Sequence, residues 1–308
     1  MTAEPPAPLT VVCLGEAMVE FAPDGAGLWR QGFAGDTLNV AWALRALLPA
    51  GTAEVAYASR IGGDGFSEAF VATLAAAGIA TDRLTRDAVR IMGLYTIRTD
   101  AQGERSFTYW RGQSAARGLA AEDGLLAQAL HGAGLVYLSG ITLAILPEAD
   151  RARLLAALGR RGARPFRLAF DPNLRPRLWP DPATMRAAVT DAARLADIVL
   201  PSFEDEAAGF GDPTPAATRA RYAALGAPEV AVKDGPRPVL LASEGRLAEV
   251  PPPAVVAPLD TTGAGDAFNG GYLAARLRGA TPEAAAAAGH RAAARVVMVR
   301  GALAPRYD

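Results

Sequence analysis

Short β-branched runs alternate with longer helical stretches along most of this chain, and that alternation restricts the folds open to it more than any other feature. Strand-like runs lie at 10–15 (TVVCLG), 54–59 (EVAYAS), 135–140 (LVYLSG), 166–171 (FRLAFD), 197–201 (DIVLP) and 229–234 (EVAVKD). Between them the pattern is helical over 38–48, 66–77, 121–130, 148–161, 183–195, 204–210 and 215–225. Asp181-Pro182 and Thr214-Pro215 each place a capping side chain before a first-turn proline, which marks two helix starts. The repeat predicts an α/β fold with a mainly parallel sheet covered on both faces. Ligands of such sheets bind beyond the carboxyl ends of the strands.

One segment departs from the alternation. Residues 93–111 (GLYTIRTDAQGERSFTYWR) read as two β-type runs joined by the turn DAQG, a hairpin rather than a crossover. It carries Tyr95, Phe107, Tyr109, Trp110 and Arg111. With residues 19–35 it can form a small sheet projecting from the main one, a lid drawn from about 16–35 and 92–112. An edge hairpin of the main sheet is the other placement; the lid is the preferred one. No long linker divides the chain, so residues 1–308 are read as one domain, and 250–258 (VPPPAVVAP) as a local stiff loop.

Composition excludes several functions. The net charge is −1 with no basic block, so no nucleic-acid surface is expected. No apolar stretch approaches the length of a membrane span. Cys13, the only cysteine, lies in the apolar run LTVVCLG, is expected to be a buried strand residue, and has no partner for a disulfide within the chain. The start, MTAEPPAPLT, is read as a frayed tail rather than a signal peptide, so a cytoplasmic protein is expected. Lys233 is the sole lysine beside thirty arginines. It is either a chance survivor of an arginine-rich bias or a nucleotide contact, since VAVKDGPRP runs from a strand into a Gly/Pro loop.

The chemistry concentrates at 259–277 (LDTTGAGDAFNGGYLAARL). Gly263 and Gly265 precede an apolar helical run, and a helix N-terminus offers unpaired N–H groups and partial positive charge to an anion. The segment lacks the lysine of a Walker A loop and the third glycine of a dinucleotide fingerprint. A plain glycine turn leaves Asp260 and Asp266 unexplained. Asp266 makes sense if the phosphate meets a group that the carboxylate deprotonates.

DTTGAGDAFNGGYLA resembles the C-terminal signature of the ribokinase-like (PfkB) sugar kinases, and GFAGDTLNVAWALRAL (32–47) their N-terminal one. GDTLNVA, the 93–111 hairpin, LVYLSGITLAIL, FDPNLRPRLW and RGALAPR together are similar to the bacterial 2-keto-3-deoxygluconate kinases, from about residue 10 to 306. The resemblance implies an eight- or nine-stranded α/β sandwich with a small β lid, ATP-dependent phosphorylation of the sugar acid at its 6-hydroxyl, and Mg²⁺. Asp266 takes the catalytic base's position, and the N–H groups of Gly263, Ala264 and Gly265 that of the anion hole.

Gly35, Asp36 and Asn39 fall where the family contacts sugar hydroxyls; Asp36 can equally be the N-cap of helix 38–48. Tyr95, Tyr109 and Arg111 come from the lid, and Asn173 and Arg175 from a strand end, where the family also meets the nucleotide. Arg111 and Arg175 suit the carboxylate that a 2-keto acid carries and a neutral sugar lacks, unless they are ordinary surface arginines. Lys233 and Gly235 stand for the family's K-x-G-x-x-G nucleotide loop, which here loses its second glycine. Asp205, in SFED, replaces the glutamate of the N-x-x-E element near the metal and is assigned to Mg²⁺ through water. His290 is assigned to adenine or to a helix surface, and Asp260 to a monovalent cation such as K⁺.

A homo-oligomer, a dimer or higher, is expected. Two other functions stay open: a fructose, ribose or related deoxy-gluconate kinase of the same superfamily, and a non-catalytic sugar-sensing module. The intact GAGD weighs against the sensor, which needs no base.

Overall fold

The computed structural model describes residues 9–99, 105–159, 163–253 and 256–303. In chain order the strands are β1 (Leu9–Leu14), β2 (Met18–Pro23), β3 (Trp29–Ala34), β4 (Ala53–Ile61), β5 (Leu84–Arg86), β6 (Gly93–Thr99) and β7 (Arg105–Trp110). There follow β8 (Ala133–Ser139), β9 (Arg167–Asp171), β10 (Ile198–Val199), β11 (Glu229–Val232), β12 (Val239–Ser243) and β13 (Arg246–Val250). The helices are α1 (Asp36–Leu47), α2 (Gly65–Ala76), α3 (Asp123–Leu130), α4 (Gly140–Ile145) and α5 (Glu148–Leu158). The remaining five are α6 (Pro182–Leu195), α7 (Phe203–Phe210), α8 (Pro215–Ala224), α9 (Ala264–Leu277) and α10 (Pro282–Val296).

Nine strands form one sheet in the order β13-β12-β11-β10-β9-β8-β1-β4-β5, parallel except for the antiparallel β11-β12-β13 edge. Period-2 alternation explains the layers. Val11 and Cys13 of β1 face one core with Leu44 of α1, Phe70 of α2 and Phe268 and Tyr272 of α9. Val12 and Leu14 face the opposite core with Leu126 of α3, Leu154 of α5, Val189 of α6 and Tyr222 of α8. Cys13 is buried and free, and burial pushes its thiol far above the ordinary value. Among the described residues no helix is long and apolar enough to cross a membrane.

The 93–111 segment is not an edge of the main sheet. It pairs with the earlier segment in a separate four-stranded sheet, β3-β2-β6-β7. Its root lies at Glu16, just beyond β1, whose buried carboxylate accepts hydrogen bonds from Arg111 and Ser114.

Asp181 and Thr214 cap α6 and α8 through the N–H groups of Thr184 and Ala217 at 2.8 and 3.2 Å. Besides β5 and α10, which the sequence pattern did not mark, three features differ from expectation. α4 follows β8 directly, with Ser139 accepting from Thr142 N–H at 3.4 Å. β12 and β13 form a hairpin around Glu244 (φ 51) and Gly245 (φ 76), two positive-φ residues as a type I′ turn requires. The helix expected to reach 161 is assigned to 158 and ends at Gly159, with φ 66. The DAQG turn, the tail through residue 8, residues 160–161, the middle of the 250–258 loop and the end of RGALAPR lie outside the described residues.

Candidate active site

The carboxyl ends of β1, β8, β9 and β11 meet the N-terminal turns of α1 and α9. Gly35 begins this junction. It is extended, and a Cβ there would stand 2.3 Å from the carbonyl oxygen of Glu16, so only glycine lets the chain pass. Gly35, not Asp36, is the N-cap of α1. Asp36 occupies the first turn, where Oδ1 accepts from Thr37 N–H at 2.9 Å and Oδ2 from Asn173 Nδ2 at 2.7 Å. Burial raises its pKa, opposed by hydrogen bonds from Ser139, Thr37 and Asn173.

One turn along α1, Asn39 Nδ2 donates to Asp266 Oδ2 at 2.7 Å. Asn39 Oδ1 is buried and has no hydrogen-bond partner among the described residues. Asp266 lies in the first turn of α9, partly buried. Burial, then the Asp36 carboxylate, push its pKa up to about 7 against the Asn39 bond; Asp171 adds to the rise and Lys233 opposes it.

The turn before Asp266 is set by Gly263, at φ 75. A Cβ there would also come within 2.9 Å of the Ala302 Cα. Ala264 N–H donates back to Thr261 O at 3.2 Å. Asp260 anchors the loop: Oδ1 accepts from Thr262 N and Oγ1 at 3.1 and 2.7 Å, and Oδ2 from Gly301 N at 2.7 Å. These three bonds take up most of the acceptor positions of the carboxylate.

Behind Asp266 stands a second cluster. Lys233 is buried, with Nζ 2.8 Å from Asp171 Oδ2 and 3.0 Å from Asn269 Oδ1. Lys233 is therefore an interior ion pair, and only Gly235 (φ 57) remains on the loop, with open space where its Cβ would be. Asn173, at φ 35, takes a backbone bond from its own N–H to Asp171 Oδ1 at 2.9 Å and so ties β9 to Asp36.

The other expected residues separate from these clusters. Arg175, half-exposed, donates to Leu174 O at 2.6 Å and to Asp205 Oδ2 at 3.2 Å. Burial raises the Asp205 pKa, and Arg175 opposes the rise. Arg111 is not a free cation: it is largely buried against Glu16. Tyr95 is buried in the small sheet and donates to Glu20, while half-exposed Tyr109 lies tilted beside it with ring centroids 5.6 Å apart. His290 is neither at a surface nor open to a ligand through Nε2. It is buried, edge-on to Phe268 at 5.5 Å, with Nε2 3.1 Å from Val250 O, and burial lowers its pKa.

Sequence reasoning missed Glu16, Ser139, Asp171 and Asn269. Asp171 and Ser139 end strands, and Asn269 lies one turn after Asp266, but nothing local names their partners. Among the described residues no group of three or more His, Cys, Asp and Glu side chains stands ready for a metal ion.

Gly140 controls the bend that carries Asp171 and Asn173, since a Cβ there would stand 1.9 Å from Pro172 O. Gly140→Ala is expected to cost about 1–3 kcal/mol or more of stability by overpacking and to lower activity by displacing both side chains. Chemical denaturation checks it; an unchanged midpoint would mean the bend yields freely.

Residues 9–307 match the profile of the pfkB family carbohydrate kinases. The chain is 39% identical over 302 residues to a 2-dehydro-3-deoxygluconokinase of Dickeya dadantii, covering 96% of each protein. It is 36% identical over 303 residues to the Escherichia coli K12 enzyme of the same description, covering 96% of this chain and 97% of the relative. Its fold is similar to that of a Vibrio cholerae O395 fructokinase crystallised with fructose, ADP and calcium ion, with a TM-score of 0.81, 27% identity, and 96% and 95% of the two chains covered.

Proposed function

The chain belongs to the pfkB family of carbohydrate kinases, and from that premise we propose that it transfers the γ-phosphoryl group of ATP to the 6-hydroxyl of 2-keto-3-deoxy-D-gluconate (2-dehydro-3-deoxygluconate). The observation that carries this reading is the Asp266 carboxylate in the first turn of α9, directly after the left-handed Gly263. A base and an anion-binding helix end are thereby joined in one turn.

Asp266 accepts the proton of the attacking hydroxyl, and its raised pKa suits a base that works near neutrality. The N–H groups of Gly263, Ala264 and Gly265 face the charge on the transferring phosphoryl group; the Ala264 bond to Thr261 is long enough to yield. Asp36 and Asn39 receive the sugar hydroxyls, one of which can satisfy the unpartnered Asn39 Oδ1. Tyr109, exposed on the small sheet, is the aromatic group left to close over the sugar.

Mg²⁺ bound to the nucleotide phosphates needs only one or two carboxylates from the protein, and Asp205, on the rim beside Arg175, is the candidate here. Bound there, a magnesium ion would supply charge neutralisation for the nucleotide phosphates. The Asp260 contacts give no support to a monovalent cation there, and no step is assigned to one. A cytoplasmic enzyme fits the demand for ATP.

A fructokinase is the second reading, favoured by the Glu16–Arg111 pair, which leaves the sugar side one free cation fewer than a carboxylate would use. The test is a substrate panel with ATP and Mg²⁺, scored by ADP release and product mass. The keto acid and its galactonate epimer, fructose and ribose are the acceptors. Highest kcat/KM on a keto-deoxy acid is expected; highest on fructose supports the second reading. ADP release with none of the acceptors would overturn both.

Arg175, half-exposed and only loosely held by Asp205, is the cation best placed to read the carboxylate. Arg175→Ala should reduce kcat/KM for the keto acid by about 10- to 100-fold, the worth of roughly 1.5–3 kcal/mol for a hydrogen bond to a charged group. An equal loss on fructose would remove Arg175 as the specificity residue.

A further inference from the structure

The only lysine among thirty arginines occupies an interior position. Its Nζ stands 3.7 Å from the point that a Cβ on Gly265 would occupy, so the ammonium lies alongside the N-terminal turn of α9. Asn269 accepts from that ammonium and turns its own NH₂ to Asp171 Oδ2 at 2.6 Å and to Tyr137 Oη at 3.1 Å. Ammonium, carboxylate and amide thus close a ring of three hydrogen bonds, with members from the ends of β9 and β11 and from α9. A lysine head on a four-carbon stem is mobile unless its partners fix it. Here the partners are buried and are themselves fixed, Asp171 by accepting from Asn173 N–H at 2.9 Å.

We propose that Asp171 and Asn269 are positioning residues for phosphoryl transfer, holding the Lys233 ammonium against the Gly263–Gly265 turn as a fixed positive charge for the migrating phosphoryl group. This rests on the kinase reading above. In the transfer the acceptor oxygen bonds to the γ-phosphorus, and the bond from that phosphorus to the bridging oxygen of the β-phosphate breaks. ADP leaves with the electron pair, and the hydroxyl proton passes to Asp266. A cation fixed before the substrates arrive stabilises the redistributed charge without reorganising. Asn269 acts through Lys233 alone, whereas Asp171 acts through Lys233 and through its own charge on Asp266.

The groups that face Asp266 are Asp36 and Asn39 from α1, Tyr137 from β8, Asp171 from β9 and Lys233 from the end of β11. Among these, Lys233 favours the ionised base and Asp171 disfavours it. Because a general base works ionised, activity rises with pH through its titration. Losing Lys233 should move that rise to higher pH, and losing the Asp171 charge should move it to lower pH. These opposed shifts report the two charges beside the base; a lowered kcat at unchanged KM in variants that fold is what a merely structural role would not produce.

The experiment measures kcat, both KM values, the kcat–pH profile and thermal unfolding for wild type, Asp171→Asn, Asn269→Ser and Lys233→Met. Lys233→Met should lower kcat by about 10²–10³-fold, as loss of one preorganised donor does. Asp171→Asn and Asn269→Ser should lower it by about 10- to 100-fold, the range for groups that orient a ligating side chain, with the sugar-acid KM within about twofold of wild type. Wild-type kcat in Asp171→Asn, or pH profiles of Asp171→Asn and Lys233→Met that move the same way, would overturn the proposal. If Asp171→Asn does not fold, Asn269→Ser decides: wild-type kcat in that variant overturns it equally. A wild-type protein that phosphorylates no acceptor removes the kinase reading itself; an active wild type with unaffected variants removes only the positioning role.

Discussion

Asp266→Asn is expected to lower kcat by about 10²–10⁴-fold, the usual cost of a lost general base, while ATP and sugar-acid dissociation constants stay within a few-fold. The amide keeps the shape of the carboxylate, and its oxygen can still accept from Asn39 Nδ2. The α9 turn depends on Gly263 and the Asp260 anchor rather than on the Asp266 charge. Stability should change in the other direction. Burial and Asp36 raise the Asp266 pKa to about 7 in the folded protein, so folding favours the protonated form. The resulting penalty is absent below the unfolded value of about 3.9. It grows as pH rises from there toward 7 and is complete above it. Asp266→Asn should therefore raise the melting temperature more at pH 8 than at pH 5. Single-turnover kinetics, calorimetric binding and melting curves at both pH values check these outcomes. A variant with near wild-type kcat would remove Asp266 as the base.

Arg111→Ala is expected to cost about 3–5 kcal/mol of stability, the penalty for leaving one partner of a buried ion pair uncompensated. Glu16 is only 2% exposed, and Arg111 and Ser114 are its hydrogen-bond donors. Glu16→Gln combined with Arg111→Met should recover much of the loss, because it removes both charges together. Urea unfolding of the two single variants and the double variant measures the coupling, and a loss under about 1 kcal/mol would mean the pair is hydrated. The same variants decide what Arg111 does in turnover. Equal losses in kcat/KM on the keto acid and on fructose would assign it to the root of the small sheet rather than to the carboxylate.

This pair also marks where sequence reasoning stops. Arg111 in the aromatic hairpin was legible as a cation of the small sheet, but Glu16 lies 95 residues away, and no local pattern joins them. His290 illustrates a related limit. Its place on a helix could be inferred, whereas its burial against Phe268 depends on how α10 lies on α9. The β12–β13 hairpin was missed for a local reason: its turn places Glu244 at positive φ, where asparagine, aspartate or glycine is the usual signal.

By itself the sequence determined the α/β class, the separate small sheet and the glycine turn that starts a helix at Gly263–Asp266. Each of these rests on short-range quantities, namely period-2 and helical spacing, capping residues and glycines at a helix start. Only the tertiary structure decided which charge neutralises which. Asn39 meets Asp266 across 227 residues and Lys233 meets Asp171 across 62, because the sheet order sets their elements side by side at the strand ends. A buried carboxylate or ammonium must find a partner in space, and chain distance carries no information about who that partner is.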